Sequence, residues 1–414
     1  MYKIFDNLYD YLPNILGYLV LGLGLCIYFA YYLLVVVKRP MLICSDGPLK
    51  TFLLNEIPAL SMKFWPTIWC LDSRVQTFIA SVLRSTTLSD INYRREILTL
   101  KDGGEVALDW LDENCSSLSP CILILPGLIG NSQDDYVKLF VLAANKAGMR
   151  VVVFNNRGLG GIEVKTPLLY NACKVDDLSE VVQYVRKVLP EHVKLGATGI
   201  SLGGLVLGNY LARRNEEARR NITAAKIVSV PWQVNKAIDS MEQPFLNSLM
   251  GMVLTQQMQS TIRKTGIYKQ EHGLDETRIQ ASKTMREFDV HFTIKHFGYP
   301  TVEDYYKDAS LPDKLHHISV PLLCLNAADD PLQPMEGIPI EATTDCTHVA
   351  IIVTSRGGHI GFLEGMWPSL KNEYMSRIFT KYFKKTLYDE RGEFQSIKED
   401  LHKEYLQKQA VQCQ

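Results

Sequence analysis

The fold class this sequence predicts is α/β: a mostly parallel, eight-stranded sheet covered by helices on both faces. Three observations predict it. Between residues 93 and 386, short continuous runs of Val, Ile and Leu alternate with amphipathic stretches of helical period, which is how parallel strands buried on both faces read. Two strands at the front of that series are joined by Asp102-Gly103-Gly104, a hairpin signal. Further on, a strand runs straight into a helix through Gly199-Ile200-Ser201-Leu202-Gly203. A G-x-S-x-G elbow of that kind lifts the serine hydroxyl clear of the sheet and sets a helix N-terminus beside it.

The chain has 414 residues, room for one large domain plus appendages. Residues 1–14 form a flank carrying Asp6 and Asp10. Residues 15–37 carry no charge and end at Lys38-Arg39-Pro40; such a run is long enough to cross the ~30 Å hydrocarbon layer as a helix. A cleaved signal peptide would place basic residues before a shorter apolar core and a small-residue site after it. Here acids precede the run and the basic pair follows it, so a retained single-span anchor is expected, with Tyr18, Tyr28, Tyr31 and Tyr32 as interfacial residues. The positive-inside rule leans toward a cytosolic catalytic domain. Residues 38–92, a membrane-proximal segment with Phe64, Trp65, Trp69 and Phe78, are expected either against the bilayer or packed on the domain.

The domain spans 93–386. Its strands are 95–100, Glu105–Leu111, Cys121–Leu125, Arg150–Asn155, 193–198, 224–230, 320–326 and Val349–Thr354. Helices fall at Asp135–Lys146, Asp176–Val188, 202–211 and 368–386, the last with an apolar stripe of Met375, Ile378, Phe379, Tyr382 and Phe383. Residues 232–315 interrupt the alternation with helical pattern bearing Met, Phe and Tyr. An insertion there sits over the carboxyl ends of the strands, where ligands bind in open α/β sheets, so it reads as a lid; extra helices without a gating role are the alternative. Residues 387–414 are a charged tail, either a solvated helix or disordered.

A serine nucleophile needs a base, and the base an orienting acid. In this topology they follow in the order Ser, Asp or Glu, His. After the penultimate strand comes Ala327-Ala328-Asp329-Asp330-Pro331-Leu332-Gln333-Pro334, and after the last strand Ser355-Arg356-Gly357-Gly358-His359. His359, flanked by glycines, is the candidate base. Asp330 is preferred over Asp329 as the acid because Asp330 and Pro334 match the Asp-x-x-x-Pro of such acid loops; Asp329 then serves as a turn residue or hydrogen-bond acceptor. For the oxyanion, the expected donors are the backbone N–H groups of Leu128, after Pro126-Gly127, and of Leu202. Asn155-Asn156-Arg157-Gly158 reads as structural, pinning neighbouring loops.

Basic and acidic residues nearly cancel, 44 against 45, so nothing points to nucleic acid as a partner. Nine cysteines are scattered without C-x-x-C pairs and read as mostly free. No metal-ligand spacing, P-loop, dinucleotide fingerprint or H-x-x-x-x-D signature occurs, and no cofactor is expected. Asn114 and Asn221 head N-x-S/T triplets.

The segments PGLIGNSQDDYV (126–137), FNNRG (154–158), GISLGG (199–204), FGYPTVEDYYKDAS (297–310), AADDPLQP (327–334) and RGGHIGFLEG (356–365) together resemble the membrane-anchored abhydrolase-domain-containing proteins, in the subgroup of members one and three. The resemblance runs from the anchor to about Lys385. It implies an α/β-hydrolase fold, a single N-terminal anchor, an endomembrane location such as the endoplasmic reticulum, and esterase chemistry on lipids. Member three is a phospholipase acting on phosphatidylcholines with medium-chain or oxidatively truncated acyl groups. Carried over by motif, the triad falls on Ser201, Asp330 and His359. The expected function is a membrane-anchored serine hydrolase of glycerophospholipid acyl esters, with membrane phospholipid as substrate and the bilayer as partner. An acylglycerol lipase or carboxylesterase with the same triad is the alternative, and a non-catalytic lipid-binding scaffold a third reading.

Overall fold

The computed structural model describes residues 2–113, 115–267, 273–370 and 373–412. Asn114 lies outside them. Asn221 closes the helix Asn215–Asn221, its side chain donating to Glu217 O at 2.9 Å.

Nine strands form one sheet: β1 (Met41–Ile43), β2 (Arg94–Thr99), β3 (Glu105–Leu111), β4 (Cys121–Leu125), β5 (Arg150–Asn155), β6 (Leu195–Ile200), β7 (Ala224–Val228), β8 (Leu322–Ala327) and β9 (Val349–Thr354). They lie in the order β1-β9-β8-β7-β6-β4-β5-β3-β2. The stretch from β5 through β9 is parallel, while β2–β3, β3–β5 and β1–β9 are antiparallel. The sheet is therefore mixed and nine-stranded, where eight strands were expected. The ninth is β1, with Met41 opposite Val353. Three residues are too few for a period-two signal; only pairing with β9 makes them a strand.

The helices that position the site are α1 (Tyr2–Tyr31), α2 (Ser73–Thr87), α3 (Asp135–Lys146), α4 (Asp176–Val188), α5 (Leu202–Arg213), α6 (Leu246–Thr265), α7 (Tyr374–Leu387) and α8 (Glu393–Gln412). Alternate strand residues feed two cores. Leu123 and Val152 face α4 and α5 with Val181 and Leu207, whereas Ile122, Ile124 and Val153 face α3 and α7 with Phe140 and Phe379. Burial on both faces explains why these strands read as unbroken apolar runs.

Along Leu16–Val36, spanning α1 and one π-helical turn, the chain is long and apolar enough to cross a membrane. Residues 38–92 pack on the domain, through β1 and through Leu49, Phe52 and Leu53 of the helix Pro48–Glu56. The tail, expected to be a solvated helix or disordered, is largely helix α8, but packed on the domain, with Phe394, Leu401 and Tyr405 buried and the Phe394 ring 5.0 Å from that of Phe52. Those apolar residues recur at helical spacing in an otherwise charged stretch, a thin stripe that finds its cover only in three dimensions.

Candidate active site

β6 ends at Ile200 and α5 begins at Leu202, so Ser201 makes the turn alone, at φ 52° and ψ −118°. Side chains rarely adopt that backbone, and it persists only where the surroundings enforce it. The glycines allow the close approach that enforces it. A Cβ on Gly203 would stand 2.3 Å from the carbonyl oxygens of Leu125 and Pro126, and one on Gly199 2.3 Å from Gly203 O. Ser201 N–H donates to Val228 O (2.9 Å), and Ser201 O accepts from the N–H groups of Gly204 (2.9 Å) and Leu205 (3.2 Å).

His359 reaches the elbow from the loop after β9. Its Nε2 lies 3.0 Å from Ser201 Oγ, and its Nδ1 lies 2.9 and 3.2 Å from the carboxylate oxygens of Asp330. Asp330 is buried, and its Oδ1 also accepts the Leu332 N–H at 2.8 Å. Asp329 turns away from the imidazole and accepts the Gly358 N–H at 3.0 Å, tying the acid loop to the histidine loop. Burial pushes its carboxyl up to about 6, against the opposing pull of that N–H and of Arg356. The structure thus brings Ser201, His359 and Asp330 into contact and gives Asp329 a backbone partner.

Leu128 and Leu202 border the same space. On either side of Leu128, the Gly127 N–H donates to Tyr136 OH (2.9 Å) and the Ile129 N–H to Tyr170 OH (3.1 Å). Among the described residues the Leu128 and Leu202 N–H groups meet no protein acceptor. Two tyrosines therefore occupy the flanking amides and leave the intervening one available to a ligand oxygen. In the nearby Asn155–Arg157 turn, Arg157 pairs with Asp177 (2.6 Å) and Asp102 (2.7 Å), and Asn155 with Asp109 (2.9 Å), so these side chains pin loops.

A cavity of about 280 Å³ opens from Ser201 and His359. Its walls are mostly apolar: Leu205 from α5, Ile238 from the helix Val234–Met241, Leu254, Met258 and Ile262 from α6, and Phe292. Residues between β7 and β8 thus supply much of the lining. One polar wall group is Asp289, which accepts from Thr293 Oγ1 (2.5 Å) and Tyr306 OH (2.9 Å) and is pushed up to about 6 by burial. Among the described residues no three His, Cys, Asp or Glu side chains group to hold a metal ion.

Several supporting residues escaped sequence reasoning. The His359 N–H donates to Thr77 Oγ1 (2.9 Å) and the Ile360 N–H to Ser229 Oγ (3.1 Å). Arg84, also on α2 and buried, pairs with Glu373 (2.7 Å) and donates to the carbonyls of Ile360 (2.8 Å) and Gly361 (2.9 Å). Gln76 accepts the Leu363 N–H at 3.2 Å. The buried positions of α2 are Gln76, Ala80 and Arg84. Their spacing of four residues was a legible signal, but polar residues on one helical stripe ordinarily mark the solvent side.

A strand–serine–helix elbow, a histidine bonded to it and a carboxylate behind define a hydrolase-type site on an α/β sheet. The model of the alpha/beta hydrolase fold matches residues 120–366. The chain belongs to the α/β-hydrolase family and is an ester hydrolase. It is 38% identical over 370 residues to Phospholipase ABHD3 of Mus musculus and 37% over 371 residues to that of Homo sapiens, covering 88% of each chain in both comparisons. To Monoacylglycerol lipase ABHD2 of Bos taurus it is 26% identical over 342 residues, 79% of this chain and 80% of the relative.

Proposed function

We propose that the protein is a membrane-anchored serine hydrolase that cleaves acyl esters of glycerophospholipids, phosphatidylcholine foremost, through an acyl-enzyme on Ser201. The observation that carries the reading is the unbroken contact from Ser201 Oγ through His359 to Asp330 at the mouth of an apolar cavity. His359 Nε2 takes the hydroxyl proton as Oγ attacks the acyl carbonyl, and Asp330 holds the Nδ1–H tautomer and stabilises the imidazolium. The Leu128 and Leu202 amides receive the oxyanion; one such donor contributes about 3–4 kcal/mol. His359 returns the proton to the departing alkoxide, and water, deprotonated by the same nitrogen, releases the fatty acid. The cavity takes the acyl chain, residues 232–315 act as its lid, and Leu16–Val36 is the anchor in an endomembrane.

The likeness to a phospholipase over 88% of the chain favours a phospholipid. The weaker likeness to a monoacylglycerol lipase favours a second reading, a monoacylglycerol as substrate of the same site. Hydrolysis of a panel of phosphatidylcholines and monoacylglycerols by the detergent-solubilised full chain separates them. Release of fatty acid from phosphatidylcholine, lost in Ser201→Ala, is expected; turnover of monoacylglycerols alone selects the second reading. Equal labelling of wild type and Ser201→Ala by a fluorophosphonate would exclude both.

A further inference from the structure

We propose that one face of the catalytic domain, from the foot of the anchor across α2 to the outer side of α6, is seated in the bilayer that the anchor crosses; this rests on the anchor reading above. Tyr32 OH donates to Pro66 O (2.7 Å), and one turn earlier on the anchor Tyr28 OH donates to Ile68 O. The loop therefore runs back along the anchor instead of away from it. Tyr28 lies about 12 Å inside the end of the Leu16–Val36 run, at 1.5 Å of rise per residue. A loop held at that level lies below the surface of the membrane.

What the loop presents suits that depth. Trp69 donates to Met366 O (2.7 Å), and its ring is 6.3 Å from that of Trp367, which is 80% exposed. Exposed paired indoles beside an apolar helix are the side chains that favour the boundary between headgroups and acyl chains. Beyond them, α2 turns part of its apolar surface outward. It buries Gln76 and Arg84 on either side of Ala80 and, among Ser81, Ser85 and Thr86, turns Val75, Phe78 and Val82 outward, large apolar side chains that suit an apolar outer medium. Arg74 reaches Asn247 (3.4 Å) at the start of α6, where Phe245 is 89% exposed and Leu249 also points out. The opposite side of α6 lines the cavity with Leu254 and Met258. One helix thus separates lipid from the site, the shortest path for an acyl chain leaving the bilayer.

Tryptophan emission reports the arrangement directly. Of the five tryptophans, Trp110 and Trp232 are buried in the domain, and Trp65→Phe removes the one nearest the anchor. In the full chain carrying Trp65→Phe, reconstituted in phosphatidylcholine nanodiscs, brominated phosphatidylcholine is expected to quench the emission, and further substitution of Trp69 and Trp367 by Phe to abolish that loss. Unchanged emission from a chain that resists alkaline extraction overturns the proposal while leaving the anchor intact; release by alkali removes both. Phe78→Ser and Trp367→Ser should each lower turnover of long-chain phosphatidylcholine in discs several-fold and leave that of a soluble short-chain nitrophenyl ester unchanged. Equal loss on both substrates would mean that the patch serves the domain's own packing, against the proposal.

Discussion

At the elbow, Ser201 is placed chiefly by the strand before it, the helix after it and two glycines, which let the turn close on Val228 and on the carbonyls of Leu125 and Pro126 at the ends of the adjoining strands. At the histidine loop, almost every restraint comes from elsewhere. Thr77 and Arg84 belong to a helix some 280 residues earlier, Ser229 to the end of β7, and Asp329 to the loop after β8. The two halves of the site meet at 3.0 Å, yet one is a local structure and the other a tertiary one. Strain in a local motif is borne by the sheet; a loop restrained at a distance is only as well placed as the helix that restrains it. Residues 38–92 are, on this view, part of the support of the proposed active site and not merely a linker.

Substitutions at the two places should therefore fail differently. Gly203→Val drives a side chain into the carbonyls of Leu125 and Pro126, atoms that cannot yield without moving the sheet. Its kcat should fall on the order of 10⁴-fold, approaching loss of the serine itself, as read by steady-state kinetics and fluorophosphonate labelling. Arg84→Met leaves Glu373 buried without its partner and two loop carbonyls without donors. It should cost about 3–5 kcal/mol of stability, seen as a lowered unfolding midpoint, and Glu373→Gln in the same chain should restore part of it. If Arg84→Met unfolds no earlier than wild type, the helix is not what holds the loop.

Thr77→Val sharpens the contrast, because it keeps the side chain's shape and removes only the hydroxyl, which accepts from His359 and donates to Ser73 O within its own helix. The histidine backbone N–H loses its bond, and kcat should drop about tenfold, equivalent to ~1.4 kcal/mol of transition-state placement, with KM unchanged. Smallest is Asp329→Asn. The Asp329 carboxyl is raised from 3.8 to about 6, mainly by burial, so the folded chain binds that proton more tightly than the unfolded one. Its contribution to stability is present below pH 3.8 and is lost as pH rises to about 6. The amide, which still accepts from Gly358, should flatten this part of the stability–pH profile; an unaltered profile in that window would assign the titration elsewhere.

Much of the architecture was legible because buried parallel strands and the elbow carry dense local signals: unbroken apolar runs, a glycine on each side of a serine, and an acid and a histidine in fixed order after the last two strands. The preference for Asp330 over Asp329 needed only a proline four residues on, and the geometry has Asp330 against the imidazole. The boundaries were less secure; β6 begins at Leu195, two residues past the expected start, because Val193 before it looks no different from a strand residue. What local pattern could not show was β1, the buried stripe of α8, and the inward-facing Gln76 and Arg84 of α2.

By itself, then, the order of residues marked the buried strands, the strand–serine–helix turn and the apolar run at Leu16–Val36, since each is written in a pattern of residues within a few positions. Only the tertiary structure decided that a helix from before the domain supports the histidine loop, and that Asp329 ties the acid loop to it. Those outcomes depend on contacts across hundreds of residues, and on a polar stripe that faces inward because its partners, Glu373 and the loop carbonyls, lie there.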